Sequence, residues 1–251
     1  MISKTFRIAR MIVLASFALS SAAWAATCSN ASLSGTYGFL HLGTDSNGYP
    51  ATAAVSQVTL DSTTGTFTGD TRASHDGVIA TEPLAGTYAV ASNCTGTGIP
   101  TAGSPFSIVV TSTGFLAAHH LSEGYAVKQG SPTCTNAGVK GSFGFETTGV
   151  FLAGAATGAV AFIGELKLTV NPSGEGVIRG HVASSEDGTF AEESVNGSYM
   201  IDPDCRGRAA IKLNGRSEMR FHVVVVDGGK EMLAIETDEN TVVSGTLVKG
   251  N

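Results

Sequence analysis

The sequence predicts an all-β protein built as two tandem antiparallel up-and-down β-barrels of about eight strands each. Three observations predict it: a stretch near the start returns in the second half, extended runs alternate with turn residues throughout both halves, and apolar residues nowhere recur at i, i+3, i+4 over a helical length. Gly, Thr, Ser, Ala and Val dominate, as suits strands and tight turns.

The chain opens with Lys4, Arg7 and Arg10, an apolar run from Met11 to Leu19, and the small-residue exit Ala23-Trp24-Ala25. This is the three-part layout of a secretory signal, so residues 1–25 are expected to be removed and the rest exported to the periplasm or the outside. The apolar run is far shorter than the ~20 residues a membrane-spanning helix needs, and a protein not embedded in the membrane is expected. Residues 1–25 hold three basic and no acidic side chains, which leaves 12 basic against 21 acidic groups and a net charge of −9. Such a balance argues against a nucleic-acid partner, whose phosphates demand a basic face.

Thr27 to Gly43, TCSNASLSGTYGFLHLG, comes back as TCTNAGVKGSFGFETTG at Thr133 to Gly149, an offset of 106. A second echo runs without gaps from Gly69–Gly96 to Gly180–Gly207 at an offset of 111, matching Asp76-Gly77 with Asp187-Gly188, Glu82 with Glu193, Tyr88 with Tyr199 and Cys94 with Cys205. Two separated blocks in one order mark a tandem duplication, with repeat one at 26–130, repeat two at 131–251 and a linker at 128–133 containing Gly130 and Pro132. Four cysteines allow three pairings. Only Cys28 with Cys94 and Cys134 with Cys205 gives each repeat its own bridge in the same place, and export supplies the oxidising compartment that bridges need.

Within repeat one, strands are expected at 35–42, 51–61, 65–75, 78–91, 95–102, 105–112, 115–121 and 124–128. Repeat two gives 141–152, 158–170, 175–186, 189–201, 206–213, 217–227, 230–236 and 241–249. Asp76-Gly77 and Asp187-Gly188 suit tight hairpins that need positive φ, and Asp227-Gly228-Gly229 is a third turn. Eight consecutive short-looped strands favour closure, which removes exposed edges. A pair of β-sandwiches is the alternative, though the long crossovers of a Greek key are not evident.

The entries Gly35-Thr36-Tyr37-Gly38-Phe39 and Gly141-Ser142-Phe143-Gly144-Phe145 resemble the G-x-W entry of lipocalin-type barrels, with Tyr37 or Phe143 in the Trp place. The resemblance implies a calycin-like barrel. The fuller pattern, from Cys-x4-Leu/Val-x-Gly-x-Tyr/Phe-Gly-Phe to Gly-x-Tyr and Cys-x-Gly, is similar to exported bacterial tandem-repeat proteins of unknown function, which implies location and architecture.

Strand parity then assigns an inner face, because alternate side chains point to opposite sides. Tyr37, Phe39 and His41 share it on the first strand, Phe67, Thr71, Ala73 and His75 on the third, and Glu82, Leu84, Gly86, Tyr88 and Val90 on the fourth. His41, His75 and Glu82 fall towards one rim and the cysteines towards the other. Repeat two places Thr147, Glu186 and Glu193 at that rim, so only the glutamate is shared. The candidate ligand contacts are therefore His41, His75, Glu82, Tyr88, Glu186, Glu193 and Tyr199, with the plainer readings of solvated rim residues and core tyrosines beside them. Copy two does not repeat the histidines, so no metal site is expected, and no cofactor. His119-His120 are read as surface or core residues. Phe221 to Val226 is apolar on both faces but for His222, which points to a barrel-to-barrel contact or a homodimer. Nucleophile elbows, phosphate loops and zinc-helix motifs are absent, so no catalytic residue is assigned. The expected function is a non-enzymatic binding protein for a small apolar ligand. The alternatives are a structural or surface-interaction protein with filled barrels, and an enzyme using a rim glutamate.

Overall fold

The computed structural model describes residues 27–46, 48, 50–130, 134–153, 157–214 and 217–250. The expected signal at 1–25 and Pro132 of the expected linker lie outside the described residues. Strands β1 (Gly35–Thr44), β2 (Pro50–Asp61), β3 (Thr66–His75), β4 (Val78–Val90), β5 (Thr95–Pro100), β6 (Phe106–Val110), β7 (Gly114–His119) and β8 (Ser122–Lys128) close into a barrel in sequence order. A second closed barrel follows from β9 (Gly141–Phe151), β10 (Gly158–Val170), β11 (Gly176–Glu186), β12 (Thr189–Ile201), β13 (Arg206–Leu213), β14 (Glu218–Val226), β15 (Glu231–Glu236) and β16 (Thr241–Lys249). All sixteen expected strands are present with ends within two residues of expectation, and closure excludes the sandwich alternative.

Local chemistry explains the hairpins. Asp76 and Gly77 have φ of 49° and 80°, Asp187 and Gly188 of 45° and 80°. Both central residues are left-handed, the twist that joins right-twisted strands without splaying them. At the other end, Cys28 bonds to Cys94 and Cys134 to Cys205, as expected. A single 3-10 turn, Asn30–Leu33, lies beneath barrel one, and Tyr88 donates its hydroxyl hydrogen to the Asn30 carbonyl at 3.2 Å. Tyr199 repeats this contact with the Asn136 carbonyl at 2.9 Å. Each barrel therefore has a bridged, closed base.

Inner faces are apolar. Tyr37, Val58, Phe67, Tyr88 and Phe115 are buried in barrel one; Phe143, Phe145, Phe162, Leu166, Val195 and Phe221 in barrel two. Charged side chains such as Asp70, Arg72 and Lys167 sit on outward positions, the reverse of a lipid-embedded barrel with its apolar exterior band. No helix among the described residues is long and apolar enough to cross a membrane.

A third apolar cluster joins the barrels. Leu40, Ala53, Val55 and Val127 of barrel one pack against Val224, Val226, Leu233, Ile235 and Val242 of barrel two. Gly38 permits the approach: a Cβ there would come within 2.5 Å of a Val226 methyl and 3.0 Å of a Val224 methyl. Buried Gln129 spans the seam, its side-chain amide donating to the Val225 carbonyl at 3.2 Å while its backbone carbonyl accepts from Gly228 N–H at 3.0 Å. The outer face of Phe221–Val226 is thus spent on the barrel-to-barrel contact. Of the two contacts expected for that strand, the barrel-to-barrel one is present, with Val224 and Val226 fully buried within one chain.

Candidate functional site

The open ends of the two barrels hold equivalent positions with different residues. His41 pairs with Ala54 across β1 and β2, as Thr147 pairs with Phe162 across β9 and β10. The repeat offset matches His75 to Glu186 and Glu82 to Glu193. Val110 faces Phe115 as Val225 faces Met232, which makes His119 the counterpart of Glu236. Barrel one thus presents His41, His75, Glu82 and His119, and barrel two Thr147, Glu186, Glu193 and Glu236.

Side-chain volume separates the two barrels further. An eight-strand barrel is only just wide enough for its own side chains to fill. In barrel two Phe162 and Val160 do so, and the interior keeps a void of about 30 Å³ lined wholly by apolar groups, Phe145, Tyr199 and Phe221 among them. That is the share of one water, without a polar partner to hold it. Barrel one has Ala54 and Thr52 at the matching positions, and a cavity of about 230 Å³ opens at its mouth. Phe39, Leu84 and Phe106 line its inner part, where they pack on the core cluster, and Ser56 and Thr71, bonded to each other at 2.8 Å, stand on one wall. His41 and His119 line it as well, beside Ala102, Gly103 and Ser104 of the β5–β6 loop.

The histidines form a connected group. His41 stacks on Phe39 with ring centroids 6.0 Å apart. Its pKa lies below the ordinary imidazole value, first because burial disfavours the charged form and then because His75 and His119 are near enough to repel a proton. His75 reaches Glu82 through Nε2 at 3.3 Å and the Thr52 hydroxyl through Nδ1 at 3.3 Å. That contact is about half exposed, so it orients the two groups more than it stabilises the fold. No group of three or more His, Cys, Asp or Glu among the described residues is placed to hold a metal ion.

The other candidates fall elsewhere. Tyr88 and Tyr199 lie at the closed bases with hydroxyls engaged by backbone carbonyls, so the structure does not bring them to a mouth. Glu186 and Glu193 sit at the rim of barrel two, where burial raises Glu193 against the opposing hydrogen bond from Ser184. Glu236 was not signalled by the sequence. It is 2% exposed, and one carboxylate oxygen has no hydrogen-bond partner; its pKa is pushed up to about 8 by burial and by the Asp238 charge. His119 was missed as well. The turn after β7 falls at His120-Leu121, with His120 at φ 42°, so the two histidines do not occupy one strand and His119 shares the inward face of Phe115 and Ala117.

Asp204 and Asp238 are engaged by protein cations, Asp204 by Arg206 and Asp238 by Arg220 at 3.1 Å. The two disulfides fit an oxidising, exported setting. No protein-family profile, curated protein or solved structure matches the chain.

Proposed function

We propose that the protein is an exported, non-enzymatic binding protein that takes a small, largely apolar ligand into the mouth of barrel one, with barrel two as its filled scaffold. The observation that carries this reading is the cavity of about 230 Å³ at Ala54, set against Phe162 at the same position of barrel two. Pockets for drug-sized ligands run from about 300 Å³ upward, so the occupant is small or leaves one end in solvent. Phe39, Leu84 and Phe106 would receive its apolar body, while His41, His119, Ser56 and Thr71 would meet one polar group. His41, held neutral, offers one donor and one acceptor rather than a charge, which suits an uncharged polar head.

The test transplants the plug. Ala54→Phe should fill the mouth as Phe162 fills barrel two while leaving thermal stability unchanged. Native mass spectrometry of protein purified from its own host is expected to show a bound mass on the wild type and none on the variant. A fluorescent naphthalene probe should lose its binding in parallel. No adduct on the wild type, together with equal probe binding by both proteins, would return the mouth to a solvated rim.

A further inference from the structure

Away from either mouth, the outer faces of β3–β4 and β13–β14 meet in a crevice of about 200 Å³ between the barrels. Arg72 enters it from barrel one, Arg206, Arg208 and His222 from barrel two. We propose that this crevice is an oxyanion site that takes a phosphate or sulfate group between the two barrels.

The charge distribution argues for it. Arg206 is committed: it grips Asp204 with Nε at 2.7 Å and reaches across to Asp70 at 3.2 Å. Those two carboxylates are thereby used. Arg72 bonds only to the Thr81 hydroxyl, at 2.5 Å, and neither Arg72 nor Arg208 has a carboxylate partner among the described residues. Three guanidiniums and two carboxylates, Asp70 and Asp204, thus meet at this crevice, a net charge of +1 in a protein with a surplus of acids.

Geometry adds the ligand class. Arg72 faces Thr81 across β3–β4, and Arg208 faces His222 across β13–β14, so donors approach from two opposed walls. A planar carboxylate offers two oxygens in one plane and would satisfy one guanidinium fork. A tetrahedral oxyanion presents oxygens to both walls and can be shared by two forks. His222 lies between the walls, half-buried, with Arg72, Arg206, Arg208 and Asp204 acting on it. Burial, then Arg72 and Arg206, depress its pKa to about 4, with Asp204 pulling the other way and Arg208 adding a lesser push. An anion in the crevice screens those cations, and by linkage its binding raises the His222 pKa.

The experiment is calorimetric titration of the mature, oxidised protein at pH 7 with inorganic phosphate, with sulfate and with glycerol phosphate, at ionic strength fixed with sodium chloride. Saturable binding of phosphate and sulfate is expected. The double variant R72Q/R208Q should weaken it by about tenfold or more, since a hydrogen bond to a charged group is worth that much. Tighter glycerol phosphate than inorganic phosphate would assign the site to an esterified group, the reverse order to a free ion. In the wild type, saturating phosphate should move the NMR titration of the His222 ring to higher pH. No saturable binding, equal affinity in wild type and variant, or an unmoved His222 titration would overturn the site.

Discussion

At the residue scale, Glu236 is a costly group to bury. Its carboxylate is removed from water at the inner rim of barrel two with one oxygen unbonded, and Asp238 adds a like charge. The folded pKa of about 8 stands above the ordinary 4.5, so between those values the native state holds a proton that the unfolded chain has released. Stability from this group is complete below about pH 4.5, declines as pH rises, and is lost by about pH 8, a change of up to about 4 kcal/mol. Glu236→Gln keeps the shape and removes the titration. Urea unfolding of wild type at pH 5 and pH 8.5 should show a fall that the variant lacks, and the variant should be the more stable of the two at pH 8.5. Equal pH dependence in both would place the titration elsewhere.

At the scale of elements, the strands were legible because alternation and turn chemistry are local. Asp-Gly pairs fix the β3–β4 and β11–β12 hairpins, and every inward assignment made for Tyr37, Phe67 and Tyr88 holds. His119 and Glu236 were not legible, since parity was read from pairs repeated in both copies and the seventh strands share few. The seam was half legible. Val224 and Val226 announce a buried outer face on β14, but its partner is a matter of tertiary packing, and only the structure identifies Leu40 and Val55 as that partner. The role of Gly38 also comes from the seam. It occupies the same slot as Gly144, whose nearest neighbour to an added Cβ is a carbonyl 3.8 Å away. Gly38→Ala should cost about 1–3 kcal/mol by overpacking against Val226, whereas Gly144→Ala should be close to neutral. Chemical denaturation of the pair separates a packing demand from a demand of the repeat motif, because only the latter would make both variants lose stability.

Across the whole molecule, the two barrels share one architecture and differ in how they are filled and faced. Barrel two is bulky inside at Phe162 and apolar outside at Leu233, Ile235 and Val242; barrel one has an open mouth and commits part of its outer surface to the seam. The seam consequently couples the stability of the two halves, and breaking it should uncouple them without unfolding either. Val224→Glu is the cleanest way. Val224 is fully buried yet sits on the outer face of barrel two, so a carboxylate there disrupts the contact with Gly38 and Leu40 while leaving the inner cores of both barrels intact. Burying that charge unpaired is prohibitive, so the barrels should part and hydrate it. Calorimetry is expected to replace one coupled transition with two, and small-angle scattering should register a more extended particle with both disulfides still formed. A single transition at the wild-type temperature would mean that the seam contributes nothing to cooperativity.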